Sequence, residues 1–341
     1  MEGLDQNCSE PSIVTLVNKA GFSGLRCEIY TRLEQIFDRA RLVDFSLRRL
    51  RQLHEMKPSL ARVFVGLESG SDSQLRRYGK GQTTQGAVDA LRAGSLLGLP
   101  LEFGFITFDP LLTQHELIEN IIFLARTDVL IKAVRAEDQA IDRIYSLVSE
   151  TEGCSTSLVG DAVFTRIAYM ATELELFVNS PFLKLLASRH PELIGEYDAS
   201  FARYNYRYQD PVIGHIASWC RVWTEGTFAP IYRMRLAART AVMKVPSCQA
   251  MIRRYREATF GLLLVLAGRS AEALKGRVRC LSGELMHGLP IAWEGELDSE
   301  SQIAELGALW TWVVGDQSGL APLAFKPGIF TLESLERRRD T

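Results

Sequence analysis

The chain has 341 residues, a formal net charge of −2 and 47% hydrophobic residues. This composition gives no reason to expect a nucleic-acid partner or an anionic membrane surface. The longest apolar run, FGLLLVLAG from Phe260, covers about half of the roughly 20 residues that a membrane-spanning helix needs. The polar, acidic start of the sequence lacks the features of a signal peptide, so we expect a cytoplasmic protein without membrane association.

Six cysteines are scattered along the chain: Cys8, Cys27, Cys154, Cys220, Cys248 and Cys280. A zinc or iron–sulfur site needs several thiolates that a short loop presents together. No two of these cysteines have C-x-x-C spacing, and in a reducing compartment they remain thiols. The sequence therefore predicts no metal ligands on this chain.

Strand and helix patterns alternate through the first third of the chain. The strand patterns are GLRCEIYTRLEQI (24–36), ARVFVGLESG (61–70) and PLEFGFITFDP (100–110). The helical patterns are DFSLRRLRQLHEM (44–56), the stretch 83–98 and LIENIIFLART (117–127). Thr113 and Glu116 have the spacing of a capping box ahead of the last helix. This order predicts βα units and a parallel sheet, in the α/β class.

Polar residues follow two of the predicted strands. Glu68 and Ser69 end the second strand, and Asp109 ends the third. Loops at the carboxyl ends of parallel strands form the ligand sites of barrels and doubly wound sheets. The sequence therefore predicts a ligand site at the carboxyl ends of the second and third strands.

Beyond residue 135 the alternation stops. Amphipathic helical patterns follow in 161–190, 211–223, 229–243, 248–268 and 300–315. We predict a βα domain over residues 1–135 and an all-helical C-terminal domain over residues 136–341.

Three motifs resemble the third, fourth and fifth barrel strands of radical S-adenosylmethionine (SAM) enzymes, in the cobalamin-associated branch. They are CEIYTRLEQI (27–36), VFVGLESGSDSQLRRYGKGQT (63–83) and GFITFDPLLTQHELIENIIFL (104–124). The last two motifs are fairly specific, and their occurrence in the family's order makes the resemblance stronger than either motif alone would. The resemblance covers about a third of the chain well. It implies a partial, truncated parallel βα barrel followed by the helical domain.

The resemblance also implies site residues. Glu68 and Ser69 match the polar positions that hold the ribose hydroxyls of SAM, and a carboxylate suits a vicinal diol because it offers two acceptor oxygens. Arg32 is the candidate partner of the methionine carboxylate. The strand beside the adenine is matched by Gly104, Phe105, Ile106 and Thr107.

One defining feature of the family is missing from the sequence. No C-x3-C-x2-C loop is present to bind a [4Fe–4S] cluster, and no match to the first two βα units or to a cobalamin-binding domain is found. We therefore expect weak SAM binding, no cluster on this chain alone and no cobalamin domain. We also expect that the chain cannot generate a 5′-deoxyadenosyl radical on its own.

Three functional interpretations remain open. The first is a truncated or split radical SAM protein of a natural-product or antibiotic pathway, for methyl transfer or another radical step, whose partner polypeptide supplies the cluster. The second is a non-catalytic accessory or binding subunit. The third is a fragment of a longer enzyme with a wrongly assigned start. A partner chain or a homo-oligomer is expected, and no catalytic residue is assigned.

Each candidate also has a plainer interpretation. Glu68 could cap its turn, and Asp109 before Pro110 is equally suited to turn formation. His115 fits a solvated helix start. The tyrosines and tryptophans at 204, 206, 208, 219 and 223 are explained by core packing, and the arginines between 233 and 256 by solvated helix faces.

Overall fold

The computed structural model describes residues 27–41, 43–133, 140–149, 160–240, 245–270 and 299–315. They form two compact units. Unit 1 comprises the described residues up to Phe105 together with Ile122–Ala168, and unit 2 comprises Ile106–Ile121 and the described residues from Tyr169 onward. The domain boundary predicted at residue 135 stays a prediction, because residues 134–139 lie outside the described ranges.

A parallel three-stranded sheet forms the centre of unit 1, in the order β1-β2-β3. Its strands are β1 (Cys27–Arg32), β2 (Leu60–Glu68) and β3 (Leu101–Phe105). The helices between them are α1 (Val43–Met56), α2 (Asp72–Arg77) and α3 (Thr84–Leu96). Helix α4 (Gln114–Ala125) follows β3 and α5 (Ala140–Ser149) comes next. The predicted parallel α/β arrangement is confirmed.

The two faces of this sheet differ in chemistry. Val63, Val65 and Leu67 of β2 are fully buried on one face. The opposite face, called the polar face here, presents Arg62 and Glu68 of the same strand, because side chains alternate along a strand. The polar face therefore carries a positive charge near the start of β2 and a negative charge at its end.

An ion cluster spans all three strands at the amino end of the polar face. Arg62 donates to Glu28 Oε2 at 2.6 Å and to Glu102 Oε2 at 2.8 Å, and it donates to the Tyr30 hydroxyl as well. Burial lowers the pKa of Arg62, but the two carboxylates outweigh burial and raise it overall. The cluster joins the strands in register.

Helix ends in the described chain follow their local sequence. Thr83 caps α3 by accepting from the Gly86 N–H at 3.0 Å. Ahead of α4, Thr113 N–H donates to Glu116 Oε2 at 3.0 Å and Glu116 N–H donates to Thr113 Oγ1 at 3.2 Å. The predicted capping box is confirmed.

Asp128 fastens the loop after α4 to helix α3 within unit 1. Its carboxylate accepts from Arg126 Nη2 at 2.7 Å and from Arg92 Nη2 at 2.6 Å. The hydrogen bond from Arg126 is the main reason that the pKa of Asp128 falls from 3.8 to about 2, with both arginine charges adding to it and burial opposing it.

Asp128→Asn should destabilise the protein at neutral pH. Because the folded-state pKa of Asp128 is lowered, its contribution is present above about pH 4 and is lost as the pH falls towards 2. We expect a loss of about 1 kcal/mol in the free energy of unfolding at pH 7, after allowing for the half-exposed side chain. Urea titrations at pH 7 and near pH 2.5 would measure this loss in the free energy of unfolding. Asp142→Asn is the control, because Asp142 forms an exposed ion pair. An equal loss at both pH values would contradict the linkage.

Unit 2 contains an antiparallel sheet in the order β4-β6-β5. Its strands are β4 (Leu176–Phe177), β5 (Ile194–Asp198) and β6 (Arg203–Tyr206), with helix α6 (Pro181–Arg189) between β4 and β5. The prediction of an all-helical C-terminal domain is therefore wrong for this stretch. Two local features explain the error: tyrosine-rich strands favour pleated pairing, and Asn179 at φ +64° followed by Pro181 stops a helix from running through 161–190.

Long helices make up the rest of unit 2: α7 (Pro211–Thr240), α8 (Val245–Ser270) and α9 (Ser299–Val314). Trp223 of α7 is fully buried, stacks on Tyr255 of α8, and donates through its indole N–H to Thr259 Oγ1 at 2.8 Å. The core-packing interpretation of Trp223 is confirmed. No helix within the described ranges is long and apolar enough to cross a membrane.

Candidate ligand site at the carboxyl end of β2

Glu68 ends β2 in an unusual backbone conformation. Its φ is +64°, and the Ser69 N–H donates to the Leu67 carbonyl at 2.8 Å, so Glu68 is the central residue of a three-residue turn. The positive-φ form of this γ-turn is rare and strained for residues other than glycine. Such strain is typical of functional positions, where the surrounding structure maintains it.

The Glu68 side chain folds back over the neighbouring glycine of its own strand. A Cβ atom placed on Gly66 would lie 2.5 Å from Glu68 Oε1. The pairing of β2 with β3 shifts register between these two residues, and a shift of this kind commonly redirects a side chain. The absence of a side chain at position 66 is therefore what leaves room for the carboxylate.

Lys80 supplies the positive charge next to this carboxylate. Lys80 Nζ lies 3.3 Å from Glu68 Oε1, and the Glu68 side chain is 19% exposed. In the part of the chain that the structure describes, Lys80 is the one ion-pair or hydrogen-bond partner of the carboxylate. A carboxylate can accept about four hydrogen bonds, so Glu68 retains the capacity to accept from a ligand.

The loop around Lys80 is shaped by two glycines and attached to β1. Gly79 and Gly81 have φ values of +65° and +67°, which glycine adopts without strain. Arg32 at the end of β1 donates to the Lys80 carbonyl at 2.7 Å and forms an ion pair with Glu34. Arg32 therefore holds this loop, and its predicted contact with a methionine carboxylate stays a prediction.

Ser69 lies inside the turn. Its hydroxyl is fully buried, donates to Gln74 Oε1 at 2.5 Å and accepts from the Ser71 N–H at 2.9 Å. These bonds orient the turn that presents Glu68. The ribose contact predicted for Ser69 stays a prediction.

Gly104 of β3 pairs with Gly66 on the polar face. The Phe64 ring leans over Gly104, since a Cβ placed there would lie 3.2 Å from Phe64 Cζ. Phe105, the last residue of β3, is buried. The predicted approach of an adenine ring to Gly104 and Phe105 stays a prediction.

Ile106 and Thr107 are the first residues of unit 2 along the chain. The Thr107 N–H donates to the Thr172 carbonyl at 3.0 Å, and the side chain is buried. Thr107 Oγ1 finds no hydrogen-bond partner among the described residues. Because a buried hydroxyl without a partner is destabilising, Thr107 fits the polar ligand contact predicted for it. The contact predicted for Ile106 stays a prediction.

Asp109 behaves as a turn residue, as one of its two interpretations proposed. It is fully buried, and its carboxylate accepts from the Leu111 N–H at 2.9 Å. This bond across two residues is typical of an Asx turn before a helix.

A half-buried cluster in unit 2 supports the segment next to Thr107, and the sequence patterns did not reveal it. Arg221 donates to both carboxylate oxygens of Glu173, and its bond from Nε to Oε2 is 2.7 Å long. The Tyr208 hydroxyl also donates to Glu173 Oε1, at 2.5 Å. Burial, with Glu173 nearby, raises the pKa of Tyr208 well above its usual value and keeps the hydroxyl protonated. Glu173 and Arg221 are 48 residues apart, so no local sequence pattern indicates that they meet. The tyrosine-rich stretch YNYRYQD (204–210) contains Tyr208, the third member of the cluster.

The cysteines that the structure describes lie on three different elements. Cys27 is half-buried in β1, whereas Cys220 and Cys248 are buried in α7 and α8. Burial raises the pKa of the Cys220 thiol, which disfavours the thiolate that a metal requires. No group of three potential metal ligands occurs in the described ranges. Cys8, Cys154 and Cys280 lie outside those ranges.

Known proteins with similar sequences and structures point to one family. The 4′-phospho-dehydrooxetanocin synthase of Priestia megaterium is 31% identical over 227 residues, which are 64% of this chain and 30% of that protein. The cobalamin-dependent SAM radical enzyme OxsB with aqua-cobalamin bound matches 88% of this chain and 43% of its own, with a TM-score of 0.69 and 26% identity. No family model matches the sequence.

OxsB with both aqua-cobalamin and SAM bound is similar in the same way, with a TM-score of 0.70 and 27% identity. It covers 87% of this chain and 43% of the OxsB chain, so this chain spans less than half the length of these relatives. The resemblance inferred from the three strand motifs is confirmed. Over the part of those enzymes that it spans, this chain is related to the cobalamin-dependent radical SAM enzymes.

Proposed function

We propose that this chain contributes the adenosine-binding part of a radical SAM site to a biosynthetic enzyme. Its parallel sheet would be the later part of a βα barrel, and the cluster would come from another polypeptide. The observation that best supports this is Glu68, a strained residue at the carboxyl end of β2 with a partly exposed carboxylate. OxsB has been solved with SAM bound, which agrees with the choice of ligand.

Glu68 suits a ribose because of its two acceptor oxygens. A vicinal diol donates two hydrogen bonds in a fixed geometry, and a carboxylate accepts both. Oε1 already accepts from Lys80, but each oxygen has a second lone pair for a ligand hydroxyl. In the family, bound SAM supplies the radical chemistry. This chain would bind its nucleoside and orient it through Glu68.

The cluster does not fit the described cysteines, which are separated and mostly buried. We therefore assign no step of a reaction to a cluster on this chain. A second candidate function follows from the same observation: a binding subunit that holds an adenosine-containing ligand without performing chemistry on it. Both candidates require the same ligand contact at Glu68.

The edge of β1 is the surface that we propose for a partner. In the described sheet β1 pairs with β2 alone, and Tyr30 of β1 is 57% exposed. An unpaired parallel strand is a template for another strand. A second polypeptide or a second copy of this chain would supply that strand.

Ligand-observed NMR on the purified chain tests the proposed function. We expect saturation transfer to adenosine and to SAM, and much weaker transfer to 2′,3′-dideoxyadenosine, because that nucleoside lacks both hydroxyl groups that Glu68 would accept from. Guanosine serves as the control for base recognition. Equal transfer to adenosine and to the dideoxy analogue, or none to either up to their solubility, would refute the proposal.

A further inference from the structure

We infer that Gly66 and Lys80 are positioning residues that together set where the Glu68 carboxylate lies, and thereby make the site selective for a ribose diol. This inference rests on the proposed function and extends it from one residue to three. It depends on contacts inside unit 1 alone: the glycine beneath the carboxylate and the ammonium group beside it.

Gly66 acts through the space that it leaves empty. A Cβ there would lie 2.5 Å from Oε1 and 3.4 Å from Cδ of Glu68. Alanine would therefore push Oε1 about 1 Å away to reach an ordinary contact distance. The strand backbone itself tolerates alanine, because Gly66 does not have the positive φ that marks Gly79 and Gly81. The substitution should move the carboxylate with little effect on folding.

Lys80 acts through charge from the opposite side. Its ammonium group is 3.3 Å from Oε1, and its backbone is fixed independently by the bond from Arg32 to its carbonyl. Lys80→Met keeps the length of the side chain and leaves that backbone bond intact. It removes the attraction that holds Oε1, so the carboxylate should become less ordered.

Positioning of this kind predicts a specific pattern of affinities. Gly66→Ala and Lys80→Met should each weaken adenosine binding about tenfold or more, because two hydrogen bonds to a rigid diol tolerate little displacement. Neither substitution should change binding of 2′,3′-dideoxyadenosine by more than about twofold. In a Glu68→Ala background both substitutions should have no further effect on adenosine affinity. In the otherwise unaltered protein, Lys80→Arg should keep most of the affinity that Lys80→Met loses, because arginine retains the positive charge.

The controls match the chemistry of each substitution. Gly307→Ala adds a methyl group in α9 where nothing lies within 4 Å. Lys184→Met removes an exposed lysine from α6. Both controls should bind adenosine as the unaltered protein does. If Glu68→Ala weakens binding while Gly66→Ala and Lys80→Met do not, the inference is wrong and the proposed function stands.

A measurement without ligand separates the inference from the proposed function. In protein labelled with ¹³C-glutamate, the Glu68 carboxyl signal is the one lost in Glu68→Gln. We expect Gly66→Ala and Lys80→Met to shift it, Lys80→Arg to restore it, and the two controls to leave it unchanged. A shift in a protein that binds no adenosine would support the positioning of the carboxylate by Gly66 and Lys80, but it would reject the proposed function and with it the selectivity for a ribose diol. A signal that neither substitution moves would overturn the inference.

Discussion

Glu68→Ala is expected to weaken adenosine binding at least about 100-fold, which takes a weak site beyond the range of calorimetry. Two charge-assisted hydrogen bonds are lost together, and each is worth roughly 1.5–3 kcal/mol when shielded from water. Since about 1.4 kcal/mol corresponds to a factor of ten, even the lower values give this loss. Binding would be followed by ligand-observed NMR, with His115→Ala as the control because His115 is exposed on α4.

Glu68→Gly adds a test of the strained backbone. Alanine at φ +64° retains the strain that glutamate has, whereas glycine adopts this conformation freely. The glycine variant should therefore unfold with a free energy about 1 kcal/mol higher than that of the alanine variant, although neither binds adenosine. Urea denaturation measures this difference. Full adenosine affinity in both variants would show that the Glu68 carboxylate has no part in binding.

The second large effect concerns iron. Anaerobic reconstitution of this chain with iron and sulfide should yield no stoichiometric [4Fe–4S] cluster, because its cysteines are separated in sequence and those in α7 and α8 are buried. Iron and sulfide analysis, with electron paramagnetic resonance after reduction, would check this. A stoichiometric cluster that disappears in Cys27→Ala would contradict the prediction and would return radical chemistry to this chain.

Local patterns predicted the part of the fold that local interactions determine. Apolar runs ending in glycine or proline predicted β2 and β3, and the spacing of Thr113 and Glu116 predicted a helix start that the structure shows. The antiparallel sheet of unit 2 escaped prediction. Its strands are two to five residues long, too short for the alternation of side chains to stand out from helical spacing.

The candidate site was predictable in its place and not in its geometry. The motif at β2 identified Glu68 and Ser69, but it could not show that Ser69 is bonded inside the turn or that Glu68 has a positive φ. The roles of Gly66 and Lys80 depend on how a side chain folds back over its own strand, which residue order alone does not reveal. Glu173 and Arg221 meet only because unit 2 folds.

A crystal structure of this chain soaked with adenosine tests the central claim most directly. The ribose should lie at the carboxyl end of β2, with its two hydroxyl oxygens each about 2.6–3.0 Å from a carboxylate oxygen of Glu68. Lys80 should remain beside Oε1. Adenosine seated elsewhere, or seated there with its base rather than its ribose against Glu68, would contradict the claim.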